Sequence, residues 1–222
     1  MIAATQSFLL ALSALFSIVN PVATALIFSQ VTAERTHAER TELAQRISVY
    51  AGLIMLGSLW IGAYVLNFFG VSLSALRIAG GFVIAISAWA LLNKPEQNEE
   101  RKQEQASHAA GVQDVAFFPL TMPFTTGPGT IAVAIALGSN GPIGRPGFVP
   151  FFLGASLAAV AVAAAVLVAY SWADRLVALL GRARSQIVTR LSAFLMLCIG
   201  VQIALNGIAD FVHATMAGVA PG

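Results

Sequence analysis

The chain has 222 residues, of which 58% are hydrophobic and 10% are charged, and its formal net charge is +2. Soluble domains carry about 25% charged residues, so 12 basic and 10 acidic residues supply too little polar surface for a globule of this length. The composition argues against a soluble domain and a disordered chain. The sequence shows no clustered basic face of the kind that nucleic-acid binding requires. The remaining class is a membrane protein with several spans.

Six apolar segments are long enough to cross a bilayer as helices, which takes about 20 residues each. They are continuous runs rather than the alternating segments of barrel strands, so their backbone polar groups must be satisfied within helices. The first has no preceding Lys or Arg, and we interpret it as a retained span rather than a signal peptide. The segments cover residues 5–31, 48–69, 71–92, 115–138, 148–171 and 188–209.

The chain divides into two halves of three spans. Residues 1–92 form the first predicted repeat, 93–114 a polar cytoplasmic linker, and 115–222 the second repeat. Residues 75–92 resemble 188–205, with Arg77 aligned to Arg190, and Asn20-Pro21 corresponds to Gly127-Pro128. Because three spans are an odd number, the second half must enter the membrane from the opposite face, as in many secondary transporters. The predicted fold class is an all-α membrane protein of six transmembrane helices, built as two inverted three-helix repeats.

Basic residues set the predicted orientation. Ten of the 12 Lys and Arg residues fall in or beside the connections after the first, third and fifth spans. These are Arg35, Arg40, Arg46, Lys94, Arg101, Lys102, Arg175, Arg182, Arg184 and Arg190. Only Arg77 and Arg145 lie on the other side. Since cytoplasmic loops carry the excess of Lys and Arg, we expect those connections in the cytoplasm and both termini in the periplasm.

The first and fourth spans are predicted to be broken near the midplane. Residues 5–31 would measure about 40 Å as one helix, longer than a hydrocarbon core of ~30 Å. Asn is a preferred N-cap and Pro a preferred first helical residue, so Asn20-Pro21 indicates the start of a half-helix. In the fourth span, three prolines and two glycines within eleven residues exclude a regular helix before the apolar stretch TIAVAIAL.

A half-helix N-terminus carries unpaired N–H groups and a partial positive charge, which suit a carboxylate. We therefore predict one small binding site where the two breaks meet, suited to a zwitterion or carboxylate. Proline kinks that serve only the shape of a helix are the alternative. The predicted contacts are Asn20, Pro21, Thr125, Thr126, Gly127, Pro128, Gly129 and Thr130. Gly80-Gly81 is interpreted as a helix-packing site, and Arg77 and Arg190 as helix-end residues that reach the interface.

No acidic residue or histidine lies inside a predicted span, where a proton relay would need one. The spans also lack a base beside their Ser and Thr residues, so we expect no enzyme. No cofactor and no catalytic or metal-ligating residue is predicted.

The NPV at Asn20–Val22 and the stretch PLTMPFTTGPGTIA resemble the MarC family of bacterial inner-membrane proteins. Ala23 stands where members of that family usually have Gly. The resemblance covers nearly the whole chain and implies an inner-membrane location. It also implies a relation to a transporter superfamily with amino-acid exporters, including an archaeal transporter of glycine and other small neutral amino acids.

The predicted function is transport of a small neutral solute such as an amino acid by alternating access. The partners are the lipid bilayer and that solute, with sodium bound at backbone carbonyls as a coupling ion; the oligomeric state is left open. One alternative is a non-transporting membrane scaffold or stress-related protein. The other, disfavoured, is an intramembrane enzyme.

Overall fold

The computed structural model describes residues 2–33, 35–93, 116–139, 141 and 147–218, and all the regular secondary structure among them is helical. One of the helices, α5, is a π-helix. The helices are α1 (Ile2–Val19), α2 (Pro21–Val31), α3 (His37–Phe68), α4 (Leu73–Leu92), α5 (Ala116–Thr125), α6 (Pro128–Ser139), α7 (Phe148–Ser171) and α8 (Ala173–Gly218).

Five helical stretches within the described residues are long and apolar enough to cross a membrane. They are Ala4–Ser29, His37–Phe68, Leu73–Ala90, Phe148–Ser171 and Arg190–Met216. The predicted span 115–138 is divided between α5 and α6, and α6 is a shorter apolar helix of 12 residues. The all-helical membrane fold is thus confirmed, with about five candidate spans.

Two helices extend well beyond their predicted spans into polar sequence. α3 begins at His37 because Thr36 and Glu39 form a capping box: the Thr36 hydroxyl accepts from the Glu39 N–H (3.4 Å), and the Glu39 carboxylate accepts from the Thr36 N–H (2.8 Å). α8 is a single helix of 46 residues that includes the predicted connection before residue 188. Arg190 therefore lies within a helix rather than at its end.

Backbones approach closely where α4 crosses α8. A Cβ added to Gly81 would lie 2.6 Å from the carbonyl oxygen of Gly200, and one added to Gly200 would lie 2.8 Å from that of Gly81. A Cβ on Gly80 would meet the Cβ of Ala132 in α6 at 2.5 Å. Small residues allow such contacts between membrane helices, so the packing role predicted for Gly80-Gly81 is confirmed.

The remaining helices pack around α7 and α3. α1 and α2 pack against α7, α6 packs against both α3 and α4, α3 packs against α7, and α2 packs against α8. Between α3 and α7 the Ser48 hydroxyl donates to the Ala163 carbonyl at 2.7 Å. Residues 94–114 of the predicted linker, and Arg145, lie outside the described residues.

Candidate functional site: two helix breaks, an open cavity and a closed end

The first break lies at Asn20, as the sequence predicts. Asn20 has φ +46°, the only positive φ at a non-glycine residue among the described residues. Asn tolerates this left-handed conformation better than most residues, and a following proline disfavours the right-handed helical region. The Asn20 Oδ1 accepts from the Ala23 N–H (3.3 Å), and its carbonyl accepts from the Thr24 N–H (3.1 Å). Asn20 therefore acts as the N-cap of α2.

The second break is shorter than the sequence predicts. A π-helix runs through Pro119 and Pro123, and only Thr126 and Gly127 separate α5 from α6. Threonine hydroxyls donate to carbonyls five residues back: Thr121 to Ala116 (2.6 Å), Thr125 to Leu120 (2.8 Å) and Thr126 to Thr121 (3.3 Å). The Thr121 carbonyl accepts from both the N–H (2.9 Å) and the hydroxyl of Thr126. The expectation that no regular helix crosses these prolines is wrong for residues 116–125.

The predicted threonine contacts face protein rather than a cavity. Thr125, Thr126 and Thr130 are all buried. Since Thr125 donates to Leu120, it accepts from the hydroxyl of Tyr170 in α7, at 2.7 Å. The Tyr170 ring stacks on Phe28 of α2, with ring centroids 4.5 Å apart. Tyr170 thus contacts both broken spans, a link that no sequence pattern indicated.

The remaining predicted site residues differ in exposure. Pro21 is buried, Gly127 is half-buried and Pro128 is exposed. The Gly127 carbonyl accepts from the N–H groups of Thr130 (3.0 Å) and Ile131 (3.2 Å). A Cβ on Gly129 would lie 2.1 Å from the Cγ1 of Ile84 in α4. Gly129 therefore allows α6 to pack closely against α4.

A cavity of about 550 Å³ opens between α1, α4, α6 and α8. The predicted site residues do not line it; the lining begins at Ile18, two residues before Asn20, and at Ala132, four residues after Pro128. The lining residues are Ser13, Ala14, Ser17, Ile18, Arg77, Ala132, Val133, Ala136, Leu137, Ile199, Ile203, Asn206, Ala209 and Asp210.

An ion pair between Arg77 of α4 and Asp210 of α8 forms part of the cavity wall. The sequence interpretation placed Arg77 at the interface as a helix-end residue. Arg77 does lie near the start of α4, and it pairs across the α4–α8 contact, because α8 brings Asp210 to the same end of the molecule. The sequence held one hint of this pair, since Asp210 is the one acid near the end of the last span. The spacing of 133 residues gave no reason to pair Asp210 with Arg77.

The opposite end of the molecule is closed by a second Arg–Asp cluster, which comprises Ser29, Thr32, Arg40 and Asp174. The Arg40 guanidinium donates to the carbonyls of Thr32 (2.7 Å) and Ser29 (3.1 Å) and forms an ion pair with Asp174. The Ser29 hydroxyl donates to the same Asp174 carboxylate at 3.0 Å. The cavity beside it, next to Phe28 and Tyr170, has a volume of only about 10 Å³.

This cluster sets the charge state of Asp174. Partial burial of the carboxyl acts to raise its pKa, but the hydrogen bonds from Arg40 and Ser29 and the positive charge of Arg40 outweigh that effect. The pKa of Asp174 therefore lies below its ordinary value, and the carboxylate is ionised at neutral pH.

Known proteins similar to this chain agree with the membrane fold. The model of the MarC family of integral membrane proteins matches residues 5–212. The inner membrane protein MarC of Citrobacter koseri is 32% identical over 210 residues, which cover 91% of this chain and 94% of that protein. The protein of the same name from Salmonella typhimurium has the same identity and coverage.

The inner membrane protein MarC of Escherichia coli O1:K1 is 31% identical over 210 residues, with 91% of this chain and 94% of that protein covered. No solved structure gives a significant match. The match across nearly the whole length, the names of the relatives and the apolar helices agree with one another. This chain is a multi-pass inner-membrane protein, and it belongs to the MarC family.

Proposed function

We propose that this protein transports small neutral solutes such as amino acids across the inner membrane by alternating access. The observation that carries the proposal is the asymmetry of the two ends. The cavity of about 550 Å³ is open between α1, α4, α6 and α8, whereas the Arg40 cluster leaves about 10 Å³ at the other end. A cavity that opens on one side only and ends close to the helix breaks, at Ile18 and Ala132, is consistent with one state of such a transporter.

We also propose that the two halves are inverted repeats. Exchange of the first span with the fourth, the second with the fifth and the third with the sixth maps one set of contacts onto another. The contact of the first span with the fifth (α1 and α2 with α7) then corresponds to the contact of the fourth span with the second (α6 with α3). The contact of the third span with the fourth corresponds in the same way to that of the sixth with the first. The α4–α8 crossing maps onto itself. This pairing supports a rocking motion of one repeat against the other.

The proposed orientation places the open cavity on the periplasmic side. The beginning of α1 and the end of α8 lie at that end, and the Arg40 cluster lies at the end that the excess of Lys and Arg assigns to the cytoplasm. In the proposal a solute enters the cavity and passes the two breaks when the Arg40 cluster opens. The breaks are also where carbonyls are proposed to bind sodium.

Site-directed labelling tests alternating access. In a Cys198→Ser background, Ser17→Cys places a thiol in the cavity lining and Ala173→Cys places one beside the Arg40 cluster. A membrane-impermeant maleimide should label Ser17→Cys from the periplasmic side and leave Ala173→Cys unlabelled from the cytoplasmic side. L-Alanine should slow the first reaction and speed up the second, because a transporter changes state when its solute binds.

Flux through proteoliposomes separates this function from a scaffold. Vesicles loaded with L-alanine should take up radiolabelled L-alanine faster than protein-free vesicles, and replacing sodium with choline tests the coupling ion. The non-transporting scaffold would be the better account if L-alanine did not change the labelling rates and the flux equalled that of protein-free vesicles.

A further inference from the structure

We propose that Arg77 and Asp210 together bind the charged ends of a zwitterionic solute, the guanidinium holding its carboxylate and the aspartate holding its ammonium group. The inference rests on the proposed transport function and names the side chains that recognise the solute at the open end. Neither residue belongs to the site that the helix breaks predicted.

The position of the pair supports this role. Both side chains line the cavity, and their exposed fractions are 21% for Arg77 and 46% for Asp210. Within the described residues, each is the sole ion-pair partner of the other. Ion pairs this accessible contribute little to stability, so a solute can separate the two charges at small cost.

The charges around the pair determine which solute fits. Among the described residues, the other lining side chains are uncharged, and the polar ones are Ser13, Ser17 and Asn206. A zwitterion that inserts between Arg77 and Asp210 replaces one ion pair with two and leaves every charge paired. A simple anion or cation can pair with only one of the two residues, so it replaces one ion pair with one and gains none. The wall therefore favours solutes that carry both charges and no net charge.

The geometry separates this site from the breaks. Ile84, which covers Gly129 at the second break, lies seven residues after Arg77 on the same helix. At 1.5 Å per residue, the two positions are about 10 Å apart along α4. A solute held by Arg77 and Asp210 is thus about two helical turns from the break, at the open part of a cavity whose volume is typical of small-molecule sites.

Equilibrium binding of radiolabelled L-alanine to the purified full-length protein tests the site. Arg77→Gln and Asp210→Asn should each weaken binding at least tenfold. Arg190→Gln is the matched control, because Arg190 aligns with Arg77 in the second half, is exposed and does not line the cavity. This control should bind L-alanine as the wild type does.

Two readouts separate recognition from a structural tie between α4 and α8. Propionate lacks the ammonium group, so it should compete at least tenfold less well than L-alanine in the wild type, and this preference should disappear in Asp210→Asn. The double variant Arg77→Gln/Asp210→Asn leaves no unpaired charge. If the single variants lost binding only because an uncompensated charge disturbed the α4–α8 contact, the double variant would regain wild-type binding.

The outcomes also distinguish this inference from the proposed function. Wild-type binding of L-alanine that persists in both single variants, or that returns in the double variant, overturns the role of Arg77 and Asp210 and leaves transport standing. A wild-type protein that binds none of glycine, L-alanine and L-serine overturns both proposals. Loss of binding in the singles and the double, with the control intact, supports the site.

Discussion

The two ends of the molecule use the same pair of residue types in different surroundings. At the closed end Arg40 is 15% exposed and binds two carbonyls at the end of α2 as well as Asp174. At the open end Arg77 is paired with Asp210 alone and faces the cavity. Arg40 donates to two carbonyls at the end of α2, and the Thr32 carbonyl also accepts from the Arg35 N–H at 3.0 Å. Arg77, by contrast, donates to no backbone group in the described residues.

The role of an Arg–Asp pair therefore depends on which other groups the guanidinium contacts. A guanidinium with five N–H donors can join several acceptors in a fixed geometry. Arg40 uses that capacity to hold α2, α3 and the start of α8 together, so its removal should open the end. Within the described residues the Arg77 guanidinium contacts Asp210 alone, and the proposed solute would accept from its remaining N–H groups.

The largest expected effect comes from Arg40→Gln. This change removes the ion pair and the hydrogen bonds to the Ser29 and Thr32 carbonyls. Because hydrogen bonds to charged groups contribute about 1.5–3 kcal/mol each, we expect a clear fall in the melting temperature of the purified protein and faster labelling of Ala173→Cys.

Arg46→Gln provides the control for Arg40→Gln. Arg46 lies on the same helix and pairs with Glu42 one turn away, and such exposed pairs contribute about 0.3–0.5 kcal/mol. Equal melting temperatures for the two variants would contradict the proposed closing role of Arg40.

A smaller effect should follow from acid. The pKa of Asp174 lies below its ordinary value of 3.8 because of Arg40 and Ser29, so the native state favours the ionised carboxylate. The contribution to stability is complete above the ordinary value and is lost as pH falls through the lower, native one. Melting temperatures measured from pH 7 to pH 3 should fall at the acid end, and this fall should be reduced in Asp174→Asn. If the melting temperature of Asp174→Asn fell with acid as much as that of the wild type, other carboxyl groups would be the cause.

Local chemistry made the helix breaks predictable. Asn followed by Pro specifies a cap and a helix start within four residues, and the structure places the Asn20 cap and the α2 start at those positions. The same holds for Pro128, which begins α6 after Gly127. The membrane fold followed from composition, since apolar runs of this length need helices in lipid.

What the sequence did not indicate depends on contacts between distant residues. Arg40 and Asp174 are 134 residues apart, and Arg40 was interpreted only as one of the basic residues of a cytoplasmic connection. The π-helix of α5 was missed because prolines normally exclude a regular helix. Its threonine hydroxyls donate to carbonyls five residues back. The hydroxyl protons of Thr125 and Thr126, both chosen as solute contacts, are occupied for that reason.

The smallest expected effect on stability belongs to the Arg77 pair. Arg77→Gln/Asp210→Asn removes both charges at once and leaves the glycine contacts between α4 and α8 in place. Since exposed ion pairs contribute about 0–1 kcal/mol, its melting temperature should stay close to that of the wild type while Arg40→Gln melts earlier. A double variant that melts as early as Arg40→Gln would make both pairs structural. In that case the Arg77 pair would stabilise the fold as the Arg40 pair does, and the proposed difference between the open and the closed end would be wrong.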